Sequence, residues 1–172
     1  MKFFLLIIAT LVAGCAAATS IPQIIVSYDR FKDEANVSTS PHIFVHSEHH
    51  DLITLSTYAS YSCEGNGSCK PNNISIRFIS ESYYGWRYLS SYDLILIVDG
   101  ERMNFGETIR VGDVASNVAG VVTIEVMLVI VPVDKFVKIA NAQIVEGKLG
   151  MTTFDITYKE RELFRMLLAR AQ

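Results

Sequence analysis

The chain has 172 residues, 50% of them apolar, and a formal charge of −3 at neutral pH. That length carries one domain of ordinary size, and the apolar half supplies a real core. No block of Lys and Arg interrupts the mild acidity, which excludes nucleic acid as a partner, because phosphate binding needs clustered cations.

Met1 to Ala18 reads MKFFLLIIATLVAGCAAA. Lys2 gives a positive start, and Phe3 to Ala13 is an apolar run broken by Thr10. The run is shorter than the ~20 residues of a transmembrane helix and fits the hydrophobic region of an export signal. Its end, Val12-Ala13-Gly14-Cys15, resembles the lipobox of bacterial lipoproteins. The resemblance covers this leader alone. It implies that residues 1–14 are a removed signal peptide and that Cys15 carries the lipid. Residues 15–23 then form a short tether, and residues 24–172 form a β-rich body facing the periplasm or the cell exterior. Ala16 in place of Asp after the cysteine implies the outer membrane if the envelope is Gram-negative. The competing reading is ordinary cleavage after Ala16-Ala17-Ala18.

Beyond the tether, strands dominate. Ile24-Ile25-Val26 starts one, and His42 to His46 forms another. Asp51 to Ser62 alternates in part, and Ile74 to Ile79 places Ile74, Ile76 and Phe78 on one side. Leu94 to Val98 is a continuous apolar run, Asp99-Gly100 is a tight-hairpin signal, and Arg102 to Phe105 returns. Val121 to Val131 is too short for a membrane helix, and its valines predict a strand covered on both faces. After Pro132 the period changes: Phe136, Ile139 and Ala140 share a helical face, predicting a short helix near 133–142. Gln143 to Leu149 and Thr152 to Thr157 form a hairpin around Gly150. Thr157-Tyr158-Lys159-Glu160 has the form of a capping box, and Leu163, Phe164, Leu167 and Leu168 continue it as an amphipathic helix near 158–171. The expected fold is mainly β, an antiparallel sandwich, or α+β with these two helices.

Cys63 and Cys69 flank Glu64-Gly65-Asn66-Gly67-Ser68, a turn-rich segment. In an exported chain the pair predicts a disulfide, since the spacing is not that of a zinc knuckle. All four histidines, His42, His46, His49 and His50, lie with Glu48 and Asp51 in PHIFVHSEHHD. In an extended strand, residues two apart are ~6.6 Å apart and residues four apart ~13 Å. His46 and Glu48 can therefore share an ion, whereas His42 and His46 cannot without a bend. The metal reading uses His46, Glu48, His49 and His50 for zinc or copper; the bland reading is a solvated loop. No cofactor is expected on other grounds.

Tyr83, Tyr84, Trp86 and Tyr88 crowd around Gly85. Aromatic faces bind sugar rings and peptides, but they also fill cores. Asp93, Asp99, Glu101, Glu107 and Asp113 fall near predicted turns and read as turn and surface residues. No G-x-S-x-G elbow, P-loop, G-x-G-x-x-G or H-E-x-x-H occurs. The expectation is an exported, lipid-anchored envelope protein with a binding or structural role. It would meet the membrane through its lipid and an envelope protein or glycan through its body. The alternatives are a periplasmic metal-binding protein or an enzyme of unrecognised type.

Overall fold

The computed structural model describes residues 23–46, 53–66, 69–83, 85–88, 92–117 and 120–171. In chain order these form β1 (Ile24–Asp29), β2 (Glu34–Thr39), β3 (His42–His46), β4 (Ile53–Glu64), β5 (Asn73–Ser82), β6 (Asp93–Val98), β7 (Glu101–Glu107), β8 (Ile109–Asn117) and β9 (Gly120–Pro132). Helix α1 (Val133–Asn141), β10 (Val145–Leu149), β11 (Thr152–Asp155) and helix α2 (Tyr158–Arg170) complete them. Every strand pairing is antiparallel, in two sheets. Sheet A runs β1-β2-β4-β5-β9-β8, and β3 also pairs with β4; sheet B runs β11-β10-β6-β7. The architecture is the expected sandwich-like α+β fold.

Period-two alternation builds sheet A. On β5, Ile74, Ile76, Phe78, Ser80 and Ser82 are buried, and the residues between them are not. Register aligns Phe78 with Thr57 on β4 and with Met127 on β9, which gives one continuous inner face. Strands β2 and β3 lie end to end along β4, against residues 60–63 and 53–57 respectively. The break falls at Ser40-Pro41, where proline has no N–H to offer the ladder.

Helices α1 and α2 pack on each other through Phe136 and Phe164, whose rings lie 4.9 Å apart. Sheet B meets sheet A through Phe154, 5.4 Å from Phe78, and through the Tyr88 hydroxyl, 3.0 Å from Thr152 Oγ1. Residues of both sheets and both helices belong to one buried apolar cluster.

Several expectations change. Strands β2 and β8 have no counterpart in the sequence reading. The strand at 121–131 is covered on one face: Met127, Val129 and Val131 are buried, but Ile130 is exposed. Its outer neighbours across β8, Ile109 and Val111, are exposed as well. The predicted capping box has its residues in place but not its bonds. Thr157 is the N-cap of α2 yet makes no side-chain bond to the backbone; its hydroxyl bonds to Glu160 instead.

Candidate functional site

The disulfide forms as read: Cys63 Sγ and Cys69 Sγ are bonded, with 5.7 Å between the Cα atoms. It closes the loop after β4, and Cys63 is itself buried beside Ala35. Cys15, Glu48, His49 and His50 lie outside the described residues. His46 ends β3, its backbone paired with Ile53. His42, half-buried on β3, meets the buried Glu160 of α2. Its Nδ1 pairs with Glu160 Oε1, while Thr157 holds Glu160 Oε2. Glu160 is 1% exposed, so the carboxylate that a capping box would turn to the helix backbone is turned instead to β3. Beside it, the Arg161 guanidinium donates to the carbonyls of Ile156 and Gln143. Among the described residues no group of three His, Cys, Asp or Glu side chains converges on a common ion position.

The aromatic segment also divides. Tyr88 is 2% exposed and reaches between the sheets, so it offers no face to a ligand. Trp86 lies over Gly112, where any Cβ would overlap the indole ring. Tyr84 lies outside the described residues, and Tyr83 is exposed at the end of β5. What fixes this segment is Glu125, fully buried on the inner face of β9. Its two oxygens accept the backbone N–H of Arg87 at 2.7 Å and of Tyr88 at 2.9 Å. Arg110 adds a bond to the Tyr88 carbonyl at 3.1 Å. A buried carboxylate needs such donors, because desolvation without them is costly. Glu125 was not singled out in the sequence; a lone Glu inside a valine-rich strand was the available signal.

Asp99 goes beyond its predicted turn. It and Gly100 both adopt positive φ, as a two-residue hairpin requires. Its carboxylate then accepts the backbone N–H groups of Gln143 and Ile144 at 2.9 and 2.8 Å, pinning the start of β10 to the β6–β7 hairpin.

A further surface was not anticipated. The outer face of sheet B forms a hollow of about 560 Å³ lined by Ile95, Ile97, Glu146, Gly147, Lys148, Thr153, Phe154 and Asp155. Register explains the lining. Across the sheet one row reads Asp155, Glu146, Ile97, Arg102, and the next reads Thr153, Lys148, Ile95, Asn104. Two aliphatic side chains occupy the middle, with carboxylates on one flank and cations and an amide nearby. The volume lies within the range of ordinary ligand sites. No family model, no curated protein and no solved structure matches the chain.

Proposed function

We propose that the chain is an exported, lipid-anchored envelope protein whose body binds an extended peptide segment of another envelope protein on the outer face of sheet B. It performs no chemistry of its own. The pattern of that hollow carries the reading. An extended peptide projects alternate side chains, and one row of β10, β6 and β11 sets Ile97 beside Glu146 and Asp155. A segment alternating aliphatic and basic residues would fill both. A glycan would be held instead by open aromatic faces, and Phe154, the aromatic of this lining, is engaged against Phe78 and over Gly147.

Other observations support the remaining parts. The disulfide suits an oxidising compartment outside the cytoplasm. Glu125 and Glu160, the buried carboxylates among the described residues, are engaged by backbone, threonine and histidine groups, which is a structural use. A photo-crosslinking residue placed at Ile97 in cells tests the binding. The expected result is a peptide-linked adduct that Glu146→Lys with Asp155→Lys abolishes while the fold persists. An adduct insensitive to both reversals, or one carrying glycan, refutes it. For the anchor, Cys15→Ala should move the chain from the membrane fraction to the soluble one.

A further inference from the structure

Beyond Ile24, which packs against the core, the apolar residues of strand β1 are exposed. Ile25, Val26 and Tyr28 are 42%, 59% and 44% exposed, although successive residues of a strand face opposite ways. Among the described residues its backbone pairs with β2 alone, and no strand lies on its other edge. The turn that follows, Arg30 to Asp33, presents Phe31 at 87% exposure.

That turn is firmly built. Asp29 Oδ1 accepts the backbone N–H groups of Phe31 at 2.9 Å and Lys32 at 3.3 Å. The Tyr28 hydroxyl donates to Asp33 Oδ1 at 2.6 Å, and the Gly65 N–H donates to the Asp33 carbonyl at 2.7 Å. The Arg30 guanidinium lies over the Phe31 ring at 4.8 Å, and Lys32 flanks it. An exposed aromatic on a fixed turn, between two cations in sequence, suits the boundary between lipid headgroups and acyl chains. The ring enters that boundary, and the cations meet phosphates.

The chain length outside the described residues indicates which surface this is. Eight residues carry the chain from Cys15 to Gln23, a reach of at most about 29 Å when extended. Strand β1 is itself only about 20 Å long. A lipid on Cys15 therefore allows either end of β1 to meet the leaflet. We infer that β1 and its turn lie against the leaflet that holds the acyl chains, with Phe31 seated at the headgroup–acyl boundary. The inference rests on the lipid-anchor reading above and gives the anchored body a fixed orientation.

The test uses the full lipidated chain in a Trp86→Phe background, carrying either Phe31→Trp or Met151→Trp. Met151 is 80% exposed in the β10–β11 turn and serves as the distant control. Vesicles of phosphatidylethanolamine and phosphatidylglycerol, doped with acyl-brominated phosphatidylcholine, supply the quencher. The expected result is a blue shift and strong quenching at position 31, with neither at position 151. Bound chain with position 31 unquenched overturns the inference and leaves the anchor standing. The same holds if β1 instead forms a dimer in solution that Val26→Lys dissociates while position 31 stays unquenched on vesicles. In the unlipidated Cys15→Ala chain, Phe31→Ser should weaken vesicle partitioning about tenfold; no change there also overturns it. Quenching that persists when Cys15→Ala leaves membrane attachment unaltered removes the lipid anchor and keeps the seated hairpin.

Discussion

Tyr61 ends in a buried hydroxyl with no hydrogen-bond partner among the described residues. An orphaned buried hydroxyl costs about 1–3 kcal/mol. Tyr61→Phe should therefore raise stability by about 1 kcal/mol at neutral pH, read from urea unfolding. Burial also raises the phenol above its ordinary pKa, with the Arg170 charge opposing. The folded chain thus holds that proton more tightly than the unfolded chain does. The resulting stability is full below about pH 10 and is lost as pH climbs through the folded value. Wild type should therefore lose more stability than the Phe variant above about pH 10, and parallel curves would refute the assignment. Glu125 has the opposite character, a buried acceptor with both oxygens in use. Glu125→Ala leaves two backbone N–H groups unpaired and should cost about 3 kcal/mol. Trp86, the sole tryptophan, reports the cause: its emission should shift red as the segment lifts from Gly112. A destabilised variant with unshifted emission would separate Glu125 from that segment.

At the scale of elements, the disulfide shows how far sequence alone carries. Two cysteines around a glycine-rich loop, in a spacing unlike a zinc knuckle, leave few other uses, and the bond is there. On the chain-entropy model so short a loop contributes about 2 kcal/mol. Cys63→Ser with Cys69→Ser should lower stability by about that much and leave the circular dichroism spectrum intact. Strand β5 was legible because its apolar residues repeat every second position, and β6 because Leu94 to Val98 is a continuous apolar run ending at a turn signal. Strand β8 was not legible because its polarity is inverted. Ile109 and Val111 face outward, whereas Arg110 and Gly112 lie on the inner side, where Trp86 supplies the missing bulk. Strand β2 hides differently, since Ala35, Val37 and Thr39 are too small or too polar to stand out as a core face. The hollow on sheet B was invisible for a third reason. Its rows are assembled from four strands whose register no single segment encodes.

For the molecule as a whole, the question is whether sheet B is an independent layer or part of one cooperative body. The contacts argue for the second. Phe154 leaves β11, covers Gly147 so closely that a Cβ there would overlap its ring, and meets Phe78 at the centre of sheet A. Tyr88, held by Glu125 from sheet A, reaches Thr152 in sheet B. Asp99 and Arg161 add polar ties near residue 143, on the path from α1 to β10. Removing a buried phenyl ring typically costs about 3–5 kcal/mol, because the cavity only partly collapses. If one core unites the sheets, Phe154→Ala must lower stability by that order for every probe. Trp86 fluorescence reports sheet A, and far-ultraviolet circular dichroism reports both sheets. Their unfolding curves in the variant should coincide and shift together, as a two-state body requires. A circular dichroism transition that moves while the Trp86 transition stays fixed would show that sheet B melts separately. The proposed binding face would then be a mobile layer on a stable platform rather than the rigid outer wall of a single core.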